Sequence, residues 1–232
     1  MPAAIIVPCL NERSRFPAYA AALARECPGT LIVSVDDGST EPLRAEDAPA
    51  AIRLAYPGNR GKGHAVRHGW DWVAANHPEV ELLAFADADG AVPAREIARL
   101  LQIMHQSPET SLLAAARVAL LGRRVERHPL RHYMGRLFAT FSSILLDLPA
   151  YDTQCGCKWV RRAAYTSVRK LLSIDGFAFD VELIAQILRC GGQVREEPVD
   201  WLEQGGSKVG LLRDGMRMAG DLIRLRKSLH GS

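Results

Sequence analysis

Asp87 and Asp89 stand two residues apart at the end of a short apolar run, residues 81–86, that stops abruptly in acid and glycine. Such a run reads as a buried parallel strand whose last residues reach the ligand-bearing edge of a sheet. In extended chain, side chains at i and i+2 share a face, so the two carboxylates converge. Mg²⁺ or Mn²⁺ takes few carboxylates plus substrate phosphate oxygens in preference to a closed protein cage. The pair therefore points to a metal held for a diphosphate. A solvated acidic turn has the same spacing, and an Asp-x-Asp alone does not separate the two readings.

The elements that must position this pair follow from periodicity. Strand-like apolar runs at 3–8, 31–35, 51–55 and 82–86 alternate with helical patterns at 14–27, 63–76 and 94–106. That alternation predicts βαβ units and an α/β fold: a doubly wound, mostly parallel central sheet flanked by helices. Pro93 fits the start of the helix that follows it. The second half is less regular, with a basic helix over 125–147, a loop through Gly156, a helix over about 178–190 and a long amphipathic helix over 211–229. No internal repeat or low-complexity linker divides the chain, and 1–232 reads as one domain.

Composition bounds the function classes. The 232 residues are 48% hydrophobic and 24% charged, ordinary for a globular protein, and a net charge of +3 is too small to argue for nucleic acid. The basic residues are uneven, with Arg123, Arg124, Arg127, His128, Arg131, His132 and Arg136 in one stretch. That excess suits phosphate or an anionic membrane surface, or else a solvated helix face. Five cysteines, an odd number with no signal peptide ahead of them, argue for thiols in a reducing cytoplasm. The weakly polar run 137–146 is far short of the roughly 20 residues that span a bilayer, so a membrane is expected to be touched at most. The apolar face of 133–146 fits core packing or a peripheral membrane contact beside its arginines.

In an open parallel sheet, ligands lie beyond the carboxyl ends of the strands, so the residues after each strand belong together. They are Pro8, Asn11 and Glu12; Asp36, Asp37, Gly38 and Ser39; Asn59, Arg60, Gly61, Lys62 and Gly63; and Asp87 and Asp89. Carboxylates and an amide near the first two strands suit base and ribose groups. Gly61, Lys62 and Gly63 offer close backbone approach and a cation for a diphosphate, and a helix start adds free amides. No Walker A or Gly-x-Gly-x-x-Gly pattern is present, which counts against an NTPase or a dinucleotide oxidoreductase. A nucleotidyltransferase would place a glycine-rich loop after Ile6 and Val7, where there is none.

These loops resemble the successive motifs of the family 2 inverting glycosyltransferases. Residues 152–158, 177–183 and 201–208 further resemble the polyprenyl-phosphate sugar transferases, the dolichyl-phosphate β-glucosyltransferases above the mannosyltransferases. The resemblance runs in order along nearly the whole chain. It implies the glycosyltransferase A-type Rossmann-like fold, with 1–110 as the nucleotide-sugar-binding half and 111–232 as a helical acceptor-side half. It also implies that Pro8, Asn11, Glu12, Asp36, Asp37, Gly61, Lys62, Asp87, Ala88, Asp89 and Gln154 bind the nucleotide-diphospho-sugar. Asp87 and Asp89 would hold the Mg²⁺ or Mn²⁺, Asp89 more directly. The mannosyl branch has a helper glutamine shortly after its second aspartate; Ala91 stands at that place here.

The acceptor implied is a lipid phosphate. Its second pKa lies at roughly 6 to 7 by analogy with phosphorylated side chains, so it needs cations to place it more than a base. Arg117 and Arg131 match the arginines that would hold it, and Lys208 adds a third charge. Arginine's planar fork binds two phosphate oxygens at once. A salt bridge for Arg117 and a surface position for Arg131 are the plainer alternatives. Asp180 occupies the place where many family members keep a base for a hydroxyl acceptor; it would otherwise position the donor sugar or cap a helix. The expected activity is transfer of a hexose, glucose from UDP-glucose, onto polyprenyl phosphate at the cytoplasmic face of a membrane. A hydroxyl acceptor, GDP-mannose as donor and a non-catalytic nucleotide-sugar module are the alternatives. Trp70 and Trp72 cannot share a helix face, so at most one is core, and His64, His68, His105 and His132 have no shared metal spacing.

Overall fold

The computed structural model describes residues 1–126, 129–204 and 211–230, with side chains for all of these except 129–137, 211–213 and 230. In chain order the first half runs β1 (Ala3–Cys9), α1 (Phe16–Glu26), β2 (Leu31–Asp36), β3 (Ile52–Ala55), α2 (Lys62–Asn76), β4 (Leu82–Ala86), α3 (Ala94–Gln106) and β5 (Thr110–Ala116). The second runs β6 (Val125–Glu126), α4 (Pro129–Leu146), β7 (Cys157–Arg161), α5 (Arg162–Val168), α6 (Phe179–Arg189), β8 (Gln193–Pro198), β9 (Trp201–Leu202) and α7 (Leu211–His230).

The described residues build a seven-stranded sheet in the order β3-β2-β1-β4-β7-β5-β8, and β6 pairs with β9 beside it. Every neighbouring pair in the large sheet is parallel except the two made by β7, which runs antiparallel to β4 and to β5. Strands buried on both faces read as unbroken apolar runs, and β1 and β4 show how the period of two divides them. Ile5, Val7, Leu82 and Ala84 pack with Phe16, Leu23, Ile97 and Leu100 of α1 and α3. Ala4, Ile6, Leu83 and Phe85 pack on the other face with Val66, Trp70, Phe179 and Leu222 of α2, α6 and α7. Pro8 sits where β1 has only β2 beside it, since pairing with β4 ends at Ile6, so its missing N–H breaks no ladder on that side.

The strands and helices of the first half lie within a few residues of their expected positions. The differences fall in the second half. The segment expected as a loop through Gly156 continues directly into β7, whose apolar pattern Lys158 interrupts. The basic helix begins at Pro129 rather than 125, because Val125 and Glu126 are taken into a ladder with Trp201 and Leu202. α4 divides along its length: Ala139, Ser142 and Leu146 are buried, whereas Phe141 and Ile144 face outward. Trp70 is fully buried and Trp72 only partly. Cys9, Cys27, Cys155 and Cys157 are buried free thiols. No helix among the described residues is long and apolar enough to cross a membrane.

Candidate active site

A cleft of about 550 Å³ opens beyond the carboxyl ends of β1, β2 and β4. It is lined by Pro8, Cys9, Leu10, Glu12, Arg15, Asp37, Asn59, Gly61, Lys62, Asp87, Ala88 and Asp89, and on its far wall by Gly176, Phe177, Asp214, Arg217, Met218 and Asp221. The first group comes from the carboxyl end of β1, the loops that follow the parallel strands and the first residue of α2, which is why residues 80 apart in sequence meet. The second comes from the turn before α6 and from α7.

Asp37 builds the loop it belongs to. Its Oδ1 accepts from Tyr56 Oη at 2.8 Å and the Arg60 N–H at 2.7 Å, and its Oδ2 accepts from the Gly61 N–H at 2.9 Å. These bonds hold the β3–α2 turn against the β2 end. Gly61 lies at φ 106, and a Cβ there would meet the Asp175 carbonyl oxygen at 2.4 Å, so only glycine lets the chain enter α2 this way.

Lys62, in the first turn of α2, reaches Asp87 Oδ1 at 2.9 Å and Asp180 Oδ2 at 3.3 Å, with its ammonium 4.8 Å from the Phe85 ring centre. Burial alone would lower its pKa, but Asp180 and Asp87 more than offset this, and it stays charged far above neutrality. Asp180, in the first turn of α6, is almost fully buried and spends its other oxygen on Lys158 Nζ at 2.6 Å. Lys158 is itself fully buried and donates to the Cys155 carbonyl at 3.1 Å. Asp180 therefore stands behind Lys62, clamped between two ammonium groups, and does not line the cleft.

The antiparallel β7 delivers Lys158. Its first residue pairs with Ala86 and Lys158 pairs with Phe85, so the strand starts at the end of β4 that carries the aspartates. Just before it, the Gly156 carbonyl accepts from the Asp87 N–H at 2.9 Å, and a Cβ on Gly156 would lie 2.0 Å from Asp87 Oδ2.

Asp87 and Asp89 both face the cleft, and Asp89 Oδ1 accepts from the Ala91 N–H at 3.0 Å. Burial, and then the charge of Asp87, hold the Asp89 carboxyl above its ordinary range. Two carboxylates in mutual repulsion are what a divalent cation relieves. No group of three His, Cys, Asp or Glu able to hold a metal exists among the described residues, so a closed protein cage does not fit. A cation that draws most of its ligands from a diphosphate does fit. The cleft's charge agrees: its described lining carries six carboxylates and three cations, and a polyanion would enter it with a counter-cation.

The other candidates lie outside the cleft wall. Asn11, at φ 53, tethers the β1 loop to the β2 loop: its side-chain oxygen accepts from the Thr40 N–H and hydroxyl at 2.8 and 2.9 Å. Asp36 accepts from the Ser39 N–H at 2.8 Å. Arg117 pairs two-pronged with Asp152, Nε to Oδ2 at 2.7 Å and Nη2 to Oδ1 at 2.8 Å, over the Trp201 ring. Burial raises the Asp152 carboxyl, but Arg117 outweighs it and holds Asp152 well below the usual carboxylate range. Gln154 follows in the same loop, its N–H 3.4 Å from Asp152 Oδ1. Arg131 is on α4 with its side chain outside the described residues, and Lys208 lies outside them altogether.

Three cations were not foreseen. Arg15 lines the cleft while paired two-pronged with Glu12 at 2.7 and 2.6 Å. Lys158 was hidden by its place in a strand that sequence pattern did not reveal. Arg217 lines the cleft from α7, exposed and with no ion pair to a described residue. The amphipathic pattern gave α7 as a helix but not the wall it forms.

The sequence model of Glycosyl transferase family 2 matches residues 4–169. The chain is 30% identical, over 96% of its length and 73% of the relative's, to dolichyl-phosphate beta-glucosyltransferase of Saccharomyces cerevisiae. It is 31% identical to the Mus musculus protein of the same name, over 96% of this chain and 74% of that one. Glucosyl-3-phosphoglycerate synthase of Mycobacterium tuberculosis, solved with UDP, superposes at a TM-score of 0.73 and 17% identity, over 99% of this chain and 80% of that one. The same enzyme with Mn²⁺, UDP and glucosyl-3-phosphoglycerate gives 0.74 and 16%, over 99% and 80%. At that identity the likeness establishes the fold, a glycosyltransferase A-type Rossmann-like sheet.

Proposed function

The chain belongs to glycosyl transferase family 2, and from that premise we propose that it is an inverting hexosyltransferase that moves glucose from UDP-glucose onto a polyprenyl phosphate. The observation that carries this reading is the convergence of Asp87, Asp89 and Lys62 at the carboxyl end of a parallel sheet, in a cleft large enough for a nucleotide sugar. Glu12 and Asp37 lie on the nucleoside side. Lys62 and the start of α2 face the diphosphate. A bound Mg²⁺ or Mn²⁺, held by Asp89 and Asp87, supplies Lewis-acid stabilisation of the departing diphosphate.

An acceptor phosphate oxygen attacks the anomeric carbon as the bond to the diphosphate oxygen breaks, with inversion and release of UDP. Arg117 and Arg131 orient that phosphate, with Lys208 as a further cation. No base is required, which accords with Asp180 being bound on both oxygens to Lys62 and Lys158. A hydroxyl acceptor would need one, so the geometry favours phosphate. The activity would be exercised at the cytoplasmic face of a membrane.

Binding of UDP- and GDP-sugars, with and without Mn²⁺, tests the donor assignment. UDP-glucose is expected to bind tightest and only with metal; tighter GDP-mannose would overturn it. Gly156→Ala is expected to lower kcat/KM on the order of 10²-fold, because the new methyl displaces Asp87 from Lys62. An unchanged steady-state rate would sever Asp87 from the donor site. Arg217→Gln is expected to raise the donor KM about tenfold with kcat little changed, consistent with a charge-assisted bond to the bound diphosphate. Equal kinetics for the variant and the parent would remove Arg217 from the site.

A further inference from the structure

Exposed large apolar side chains are not spread evenly over this molecule. Of the ten described, five fall between residues 120 and 151: Leu120, Leu121, Phe141, Ile144 and Tyr151. Leu121 is 106% exposed, the most open of all, and Leu120 beside it is 51% exposed. They form the tip of the β5–β6 connection, a turn closed by the Arg123 N–H on the Leu120 carbonyl at 3.0 Å, with Gly122 at φ 84. Two adjacent leucines held outward on a closed turn contribute nothing to the core, and scattered exposure does not explain their pairing.

These residues flank the Arg117–Asp152 pair in the chain. Leu120 and Leu121 follow Arg117 by three and four residues. Tyr151 precedes Asp152, and the N–H groups of both are fixed by Glu196 at 2.7 Å. Ile144 and Phe141 lie on the last turns of α4, which the Ser143 hydroxyl joins to the Ala150 carbonyl at 2.9 Å. The same stretch is strongly basic: residues 117–136 contain six arginines and one glutamate, a local excess larger than the net charge of the whole chain. Arg117, Arg123 and Arg124 pair with Asp152, Glu96 and Glu126, so the surplus charge of the stretch is that of Arg127, Arg131 and Arg136 in the sequence. Apolar side chains on an outward turn beside such a surplus match an interface of acyl chains beneath anionic headgroups.

We infer that the Leu120–Leu121 turn, with Ile144 and Tyr151, is a membrane-docking surface that dips into an anionic bilayer and brings the Arg117–Asp152 pair down to the headgroup layer. This rests on the lipid-phosphate reading of the acceptor. It adds where the protein meets the membrane and which side chains enter it. Arginines steer the approach, and the leucines supply the apolar insertion that charge alone lacks.

The test is binding to vesicles free of any polyprenyl phosphate, made of phosphatidylcholine alone or with about 30% phosphatidylglycerol. The unaltered protein is expected to bind the anionic vesicles. Leu120→Ser/Leu121→Ser is expected to bind them at least tenfold more weakly, as loss of two inserted side chains requires. Its affinity for UDP with Mn²⁺, measured by calorimetry, should be unchanged, which guards against misfolding. Arg124→Gln should weaken binding less and reduce its salt dependence. Equal vesicle binding by the leucine variant and the parent overturns the inference. So does absence of vesicle binding by a parent protein that glucosylates detergent-dispersed polyprenyl phosphate. A concentration-dependent dimer that the leucine variant loses, without vesicle binding, overturns it in favour of a second copy of the chain. Vesicle binding without lipid glucosylation strikes the proposed function instead.

Discussion

Asp89→Asn is expected to lower kcat/KM for transfer by at least about 10³-fold while leaving the fold intact. The amide is the same size as the carboxyl, and its oxygen can still accept from the Ala91 N–H. What disappears is the second charge of the pair. On the proposed function, with Ala91 where the resembled mannosyl branch keeps its helper glutamine, Asp89 would carry more of the cation, and UDP should lose its dependence on Mn²⁺ in the variant. Stability should move the opposite way. The Asp89 carboxyl is held above its ordinary pKa by burial and by Asp87, so its ionised form is disfavoured in the folded chain relative to the unfolded one. That penalty is present above the folded pKa and vanishes below the unfolded value, about 4. In chelator at pH 7 to 8, the variant should therefore melt above the parent, with the gain shrinking as the pH falls toward about 4. Transfer within tenfold of the parent would remove Asp89 from the metal.

Lys158→Met should produce the largest loss of stability of any single change near the site. Lys158 and Asp180 are both almost wholly buried and lie 2.6 Å apart. Removing the lysine leaves Asp180 with Lys62 at 3.3 Å and no second cation. Breaking a buried pair from one side costs about 3–5 kcal/mol, a fall in Tm of roughly 6–20 °C for a chain of this size. Thermal unfolding followed by circular dichroism reads it. Adding Asp180→Asn to Lys158→Met should recover part of the loss, since the stranded charge is then gone. A change under about 1 kcal/mol, or no recovery, would mean that water or rearrangement satisfies Asp180.

The two predictions divide along what the sequence disclosed. Asp87 and Asp89 were legible because β4 is an apolar run buried on both faces that stops sharply at its ligand end, and β1 and β2 repeat the pattern. Lys158 was not, because a lysine in the middle of a short strand breaks the apolar run, and only the tertiary pairing of β7 between β4 and β5 gives it an acidic partner. β8 was hidden for a related reason: as an edge strand rich in charge, it alternates weakly. Arg117 had two readings, salt bridge or phosphate holder, and the structure supplies the salt bridge, with Asp152. Arg15 and Arg217 could not be read at all, since α1 and α7 signal helix by periodicity but not which exposed residue turns toward a cleft formed by distant loops.

The most direct test is the product itself. The protein is incubated with UDP-glucose labelled in the sugar, Mg²⁺ and a short polyprenyl phosphate, and the organic phase is analysed. Label is expected in a glucosyl phosphate lipid of inverted anomeric configuration, with one UDP released per lipid formed and none of it without metal. No labelled lipid, together with glucosylation of a soluble alcohol from the same donor, would contradict it.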